Sequence, residues 1–489
     1  MRREKKKYIK IIYRIIGLIS FIVFSGFSLG CNSNDSVNEK EDPPVERVPK
    51  FWLSDDSKNI KFLKQTSSIE AGTLSGYTTL SVNSSQTYQQ MDGFGFSLTG
   101  GSALHIHNMS ADARTALLTE LFDYSENNIG VSYLRVSIGA SDLDAEVFSY
   151  NDLPYGQTDL NMESFSLSKD YDHVIPVLKE ILQIYPDLKI LGSPWSAPTW
   201  MKTKNSSVGG SLKAEYYEAY AKYFVKYVQE MANEGIRIDA ITIQNEPLHD
   251  GNNPSMYMSA TDQGNFVKNN LGPAFESAGI NTKIIIYDHN ADRTDYPISI
   301  LNDADAAQYI DGSAFHLYGG SINDLSTMYN AHPDKNIYFT EQWIGAPGNF
   351  PEDLKWHVRE LIVGATRNWC RNVIEWNLAA DENQDPHTPG GCSSCLGALT
   401  ISGDNVVRNP AYYVIAHASK FVRPGSVRIS SNSSSELPNV AFRNIDGSIV
   451  FIVLNDSGSE KIFNVTVDEI AFHSKLSAGA VGTYIYEVE

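Results

Sequence analysis

Between Met91 and Asn377 the chain repeats one theme eight times: a short apolar run of strand character, in most cases followed by a helical pattern. The runs are Met91–Phe96, Val131–Ile138, Lys189–Gly192, Ala240–Gln244, Lys283–Tyr287, Ser313–His316, Asn336–Thr340 and Val373–Asn377. Between the third and fourth, Tyr217, Tyr220, Phe224, Val228 and Met231 fall on one face of a helix, and Gly235 follows as a C-cap. Val174, Val177, Leu178 and Ile181 make a similar stripe before the third run. Strand–helix alternation of this kind over about 290 residues predicts a (β/α)8 TIM barrel.

The flanks have another rhythm. After Pro424 come short alternating runs at Val427–Ser430, Val440–Arg443, Ser448–Asn455, Ile462–Val467 and Thr483–Val488, with Asp446-Gly447 as a hairpin turn. Ile60–Leu63 and Thr78–Val82 are also strand-like. These segments predict a side β-sandwich formed from both chain termini. The expected organisation is a signal segment at 1–30, an acidic tether at 31–50 and N-terminal sandwich strands at 51–88. The catalytic barrel is expected at 89–410 and the remaining sandwich at 411–489.

Six Arg and Lys residues lie within Met1–Lys10, and an apolar stretch runs from Ile11 to Leu29 ahead of Gly30 and Cys31. This is the layout of a bacterial secretion signal, and Cys31 stands where a lipoprotein would be acylated. The expectation is a secreted outer-membrane or cell-surface lipoprotein, with soluble secretion and an uncleaved anchor as the alternatives. Residues 32–49 are polar, acidic and rich in proline, too poor in apolar side chains to fold by themselves. The formal charge is −19; losing residues 1–30 removes seven Lys/Arg and one Glu, leaving it near −25. Such a body repels nucleic acid and anionic lipid and suits a neutral substrate. A monomer is favoured, and membrane contact is expected through the lipid alone.

Four cysteines are too few for a disulfide framework in a chain of 489 residues. Cys392 and Cys395 stand in a Gly/Pro/Ser-rich loop, where a local disulfide, free thiols and a metal or redox site are all open readings.

In a barrel, chemistry belongs at the C-terminal strand ends. The fourth run leads into Asn245-Glu246-Pro247 and the seventh into Thr340-Glu341-Gln342-Trp343. A lone Glu at a strand end is more often a loop anchor. Two of them on one rim, with Asn245, His316, Tyr318, Trp195, Trp343 and Trp376 at neighbouring strand ends, fit glycoside hydrolysis. One carboxyl protonates the leaving oxygen while the other attacks, or activates water, at the anomeric carbon.

The segments Gly93-Phe94-Gly95, Leu134-Arg135-Val136, Ser193-Pro194-Trp195 through Met201-Lys202, Gln244-Asn245-Glu246-Pro247, Trp376-Asn377-Leu378, and Asn409-Pro410 through Phe421 resemble glycoside hydrolase family 30. This family includes glucosylceramidases and endo-β-1,6-glucanases. The resemblance runs from about Phe51 to Glu489. It implies retention of configuration, with Glu246 as acid/base and Glu341 as nucleophile. It also implies a sugar subsite surrounded by Arg135, Trp195, Asn245, His316, Tyr318, Trp376 and Asn377, with no metal and no cofactor.

Glucosylceramidases carry a sugar-gripping Asp after the Gly-Phe-Gly segment, where this chain has Gly100 and Gly101. The resemblance is therefore to the endo-β-1,6-glucanase branch, and the glycines are expected to leave room for close backbone approach or for a continuing glucan chain. An exo-acting β-glucosidase or glucosylceramidase, and a non-catalytic glycan-binding surface lipoprotein, are the competing readings.

Overall fold

A computed structural model describes residues 48–66 and 69–487. The signal segment, Cys31 and most of the tether lie outside the described residues. Eight parallel strands close into a barrel: β1 (Gly93–Leu98), β2 (Tyr133–Ser137), β3 (Lys189–Ser193), β4 (Ala240–Thr242), β5 (Lys283–Asn290), β6 (Ile310–His316), β7 (Asn336–Glu341) and β8 (Cys370–Asn377). All eight coincide with the apolar runs, with ends shifted by up to three residues.

Strand alternation divides the side chains into two sets. Phe94, Leu134, Ile190, Ile241 and Ile286 point outward into the core shared with the helices. Tyr133, Leu191, Ala240, Ile285, Ala314, Tyr338 and Ile374, one from each strand β2 to β8, form a separate buried cluster that plugs the barrel. Two residues further along the same inward face come Arg135, Ser193, Thr242, His316, Thr340 and Trp376. The apolar plug is thus the floor on which a polar layer stands.

The helix Tyr217–Asn233 buries Tyr220, Phe224, Val228 and Met231 as its stripe predicts, and Gly235 follows it at φ 79°. The helix Pro410–Ser419 contributes Tyr412, Val414 and Ile415 to the barrel core, so the barrel outruns position 410.

Beside the barrel lies one ten-stranded sheet. Its order is Ile60–Gln65, Lys50–Asp55, Val481–Tyr486, Ile449–Leu454, Asn439–Arg443, Val427–Ser431, Thr78–Gln90, Lys461–Val467, Ile470–Leu476 and Glu70–Ala71. It encloses its own core of Phe51, Leu80, Phe451, Phe463 and Tyr484, while Phe442, Val450 and Ile452 face the barrel. Ile470–Leu476 was not evident from the sequence pattern, because the buried Ser474, bonded to the Tyr484 hydroxyl, breaks its apolar alternation.

Candidate active site

Three register shifts shape the barrel rim. Between β5 and β6, Ala314 pairs with Tyr287 and Phe315 with His289, leaving Asp288 as the extra residue. Thr340 is skipped between β6 and β7, and Trp376 between β8 and β1. A bulge re-aims the side chain it carries. Tyr287 and Asp288 adopt φ of 73° and 72°, and the Asp288 carboxylate turns into the barrel. Glu246 also has a left-handed backbone, φ 45°, a conformation that costs on the order of 1 kcal/mol and persists where neighbours enforce it. Here the neighbours are the Asp288 carbonyl, which accepts the Glu246 N–H at 2.9 Å, and the His249 N–H, which donates to the Glu246 carbonyl at 2.9 Å.

Arg135 is the hub of the polar layer. Wholly buried, it donates from Nη1 to Glu341 Oε2 at 2.6 Å and from Nη2 to Asn245 Oδ1 at 2.6 Å and Asp288 Oδ2 at 2.8 Å. Asp288 also accepts from Ser193 at 2.8 Å, Thr242 at 2.7 Å and Thr340 at 2.6 Å. His316 bridges Asp288 Oδ1 through Nε2 and Glu246 Oε1 through Nδ1, both at 3.2 Å. The Tyr318 hydroxyl donates to Glu341 Oε1 at 3.0 Å. One carboxylate oxygen of Glu246, one of Glu341 and a ring nitrogen of His316 lie within 4.8 Å of one another.

Burial opposes the Asp288 charge, yet the Arg135 guanidinium and the bonds from His316 and Thr340 hold its carboxyl well below the usual carboxylate range. Burial also opposes a charged His316. The Glu341 charge and the bonds to Asp288 and Glu246 outweigh it and raise the ring to about 9. Burial, with the Glu246 charge, pushes Glu341 up against the pull of His316 and Arg135. Burial works the same way on Glu246, but the His316 bond and charge bring it down. Two facing carboxyls joined through one histidine titrate as a unit, so their proton belongs to the pair.

A cleft of about 230 Å³ opens above this layer, walled by Trp195, Trp343, Trp376, Tyr318, Asn245 and Asp142 around the two Glu residues. Trp195 and Trp376 are inclined at 31° with centroids 5.3 Å apart, and the Arg135 guanidinium packs against both indoles. Cys392 and Cys395 are bonded as a disulfide and also line the cleft, whereas Cys370 is a buried free thiol. Members of the expected sugar cage are also bonded to one another and to the strand ends around them. Arg135 and His316 stand behind the carboxylates and touch them. Asn377 has its Oδ1 committed to Thr99 and Ser102 at the start of the helix Gly100–His107.

Sequence reasoning missed Asp142, Asp288, His249 and Asn252. Asp288 was findable as the polar continuation of the fifth run, Tyr287-Asp288-His289. Asp142 follows the end of β2 in Ser141-Asp142-Leu143-Asp144.

Of the two uses expected for Gly100 and Gly101, the structure shows close approach rather than room for a glucan chain. A Cβ on Gly100 would meet Asp144 Oδ1 at 1.7 Å, and one on Gly101 the Leu143 carbonyl at 2.7 Å. The glycines let this helix start close against the loop after β2. Burial raises Asp144 to about 6 there, against hydrogen bonds that include those from Ser141.

Glu246, His316 and Glu341 form the one donor set with metal-ligand spacing found among the described residues. A larger cavity of about 550 Å³ lies at the opposite end of the barrel, lined by Lys283, Tyr309 and Asp311, away from this network.

A closed (β/α)8 barrel that brings two buried glutamates together beneath a tryptophan-walled cleft defines a glycoside hydrolase. The chain belongs to glycosyl hydrolase family 30: the family's TIM-barrel domain matches residues 91–422 and its beta sandwich domain residues 425–484. The chain is 37% identical over 392 residues to an endo-1,6-beta-D-glucanase of Neurospora crassa, covering 76% of this chain and 80% of that protein. It is 34% identical over 416 residues to endo-1,6-beta-D-glucanase neg1 of Aspergillus fumigatus, covering 80% and 83%. The solved structure of the endo-beta1,6-glucanase BT3312 superposes with a TM-score of 0.84 at 35% identity, covering 90% of this chain and 100% of that one.

Proposed function

We infer that this chain cleaves β-1,6-glucan internally by double displacement, with Glu341 as nucleophile and Glu246 as acid/base. The mechanism rests on one observation: a carboxylate oxygen of Glu246 and one of Glu341 lie within 4.8 Å. That matches the roughly 5–5.5 Å carboxyl separation of retaining enzymes and leaves no room for the water an inverting enzyme holds between its carboxyls. The substrate reading is supported by the endo-1,6-glucanase relatives, which align along most of the chain.

Arg135 and Tyr318 place two donors on Glu341, whereas Glu246 has the single His316 nitrogen. With a sugar bound, the partly positive anomeric carbon beside Glu341 favours the anion there, an effect that grows as the glycosidic bond breaks. The pair's proton then resides on Glu246, beside the leaving oxygen. Glu341 attacks the anomeric carbon, and the glycosidic C–O bond breaks as Glu246 delivers its proton. A glycosyl ester joins sugar and Glu341. Glu246, now a carboxylate, takes a proton from water, and the hydroxide oxygen displaces Glu341 from the same face that the leaving group occupied. Neither step calls for a metal or organic cofactor.

The test is a timed product profile on linear β-1,6-glucan, with glucosylceramide and an aryl β-glucoside alongside. A ladder of short β-1,6-oligosaccharides at early times is expected, and glucose as the sole early product contradicts endo action. The N-terminal segment fits lipid attachment at Cys31, which metabolic labelling with a fatty acid tests by its loss in Cys31→Ser.

A further inference from the structure

We propose that Lys202 is a positioning residue for the leaving half of the glucan: it locks the loop that follows Glu246, so that Asn252 meets the departing sugar. The assignment rests on the β-1,6-glucan reading above. Lys202 has no solvent exposure. Its Nζ donates to Ser196 Oγ at 2.7 Å, to the Ser255 carbonyl at 2.7 Å and to the Ser207 carbonyl at 3.1 Å. Burying an ammonium is costly unless each of its three hydrogens finds an acceptor. Here each does, and the acceptors belong to three segments: the exit from β3 beside Trp195, the turn around Ser207, and the loop between β4 and the helix Ala260–Phe266.

The last of these carries Glu246 near its start, and further bonds stitch it to the turn. The Ser255 N–H donates to the Ser207 carbonyl at 2.9 Å, the Gly209 N–H to Ser255 Oγ at 3.0 Å, and the Tyr257 N–H to the Gly210 carbonyl at 2.8 Å. Asn253 is held from both sides. Its Oδ1 accepts from Ser207 Oγ at 2.7 Å, and its Nδ2 donates to the Pro389 carbonyl at 3.0 Å. The neighbouring Asn252 thereby has its place fixed. It lines the cleft, and its amide has no hydrogen-bond partner among the described residues.

Glu246 delivers its proton to the leaving oxygen, so the departing sugar lies on the Glu246 side of the cleft. His249 and Asn252 are the lining residues that follow Glu246 in the same loop. Asn245 and Tyr318 are committed to Arg135 and Glu341, whereas the Asn252 amide can both donate to and accept from sugar hydroxyls. The Glu246 backbone is held separately, by the Asp288 carbonyl. Lys202 touches neither sugar nor carboxylate and acts through the wall it holds.

The experiment compares the full chain with Lys202→Met on gentiotetraose and on β-gentiobiosyl fluoride. The assays run below the value of about 7 to which burial and the Lys204 charge bring this ammonium against the Asp250 charge, so that it donates all three hydrogens. Cleavage of the tetraose fills the leaving side with sugar, whereas fluoride occupies almost none of it and departs without a proton. Lys202→Met is expected to lower kcat/KM on the tetraose by about 10- to 100-fold and on the fluoride by less than about threefold. Ester hydrolysis still needs Glu246 as base, so a surviving fluoride kcat shows the acid/base in place. Equal losses on both substrates would mean that the lysine only supports the fold, and the proposal falls. Unchanged rates on both overturn it as well.

Asn252→Ala is expected to lose a similar factor on the tetraose, and the double variant no more than the larger single loss. Losses that multiply would show that the lysine does not act through Asn252, against the proposal. Should Lys202→Met fail to fold, Ser207→Ala cuts the bond to Asn253 with the lysine left in place. The same split between tetraose and fluoride is expected there, and its absence is equally decisive. If the unsubstituted enzyme cleaves laminaritetraose or cellotetraose in place of gentiotetraose, the substrate reading falls, and the split measured on that tetraose decides the clamp. Gentiotetraose cleavage without the split refutes the clamp alone.

Discussion

Arg135 reaches Glu341 at 2.6 Å from a position with no solvent exposure, and the same guanidinium neutralises Asp288 at 2.8 Å. One buried cation thus serves two carboxylates, one reactive and one structural. Replacing it strands both.

Arg135→Met should destabilise the chain by about 3–5 kcal/mol in urea unfolding, since a buried carboxylate is left without its partner. It should also lower kcat by at least about 10³, as Glu341 loses its closest donor. A variant that kept its unfolding midpoint would contradict the buried-charge account.

Removing the two glutamates has different stereochemical consequences. Glu341→Ala lacks the nucleophile, so added azide is expected to attack directly and give the α-glycosyl azide from an activated substrate. Glu246→Ala still forms the ester, so azide enters in the second step and gives the β-glycosyl azide. Turnover without azide should drop by about 10⁴ or more in Glu341→Ala. Proton NMR of the azides decides between the assignments, and identical anomers from both variants would refute them.

Tyr318→Phe deletes one 3.0 Å bond to Glu341 and leaves the Arg135 bond in place. A charge-assisted bond of this kind contributes about 1.5–3 kcal/mol, so kcat/KM should fall by roughly 10- to 150-fold with the unfolding midpoint little changed.

Stability should depend on pH through groups of opposite sign. Burial raises Asp170 to about 7, although the Tyr150 hydroxyl bonds it, and the Asp144 charge adds to the rise. The folded chain keeps this proton where the unfolded chain has lost it. The stabilisation is complete below about pH 4 and is lost as pH rises through 7. Asp288, held low, behaves oppositely, stabilising above about pH 4 and losing that contribution as pH falls further. Asp170→Asn should remove a slope of about 1.4 kcal/mol per pH unit between pH 4 and 7 in urea midpoints. Parallel curves for the two proteins would show that Asp170 is not protonated in the fold.

The barrel was readable in the sequence because its strands combine an apolar outward set with an inward set that passes from an apolar middle to polar residues at the C-terminal end, as in Tyr133 and Arg135 or Ala314 and His316. Glu246 and Glu341 stood out for the same reason. Asp288 did not, because its inward aim depends on a register shift, and a bulge leaves no periodic trace in sequence. That Asn377 Oδ1 accepts from Thr99 and Ser102 was not legible either, because this partnering is made by packing across β8 and β1. Which of its two uses Gly100 serves was not legible, because the neighbour that decides it, Asp144, lies forty-four positions later.

The side sheet carries a consequence for how the molecule is made. Lys50–Asp55 has Ile60–Gln65 on one flank and Val481–Tyr486 on the other. The second neighbour is synthesised after all eight barrel strands. A ribosome that stops near residue 470 has already delivered all eight barrel strands, yet it leaves the first hairpin with a bare edge of unpaired amides and carbonyls. Only Val481–Tyr486 covers that edge. The clasp between these distant strands makes synthesis through Tyr486 a structural requirement, and products that stop short of it are open to aggregation and proteolysis.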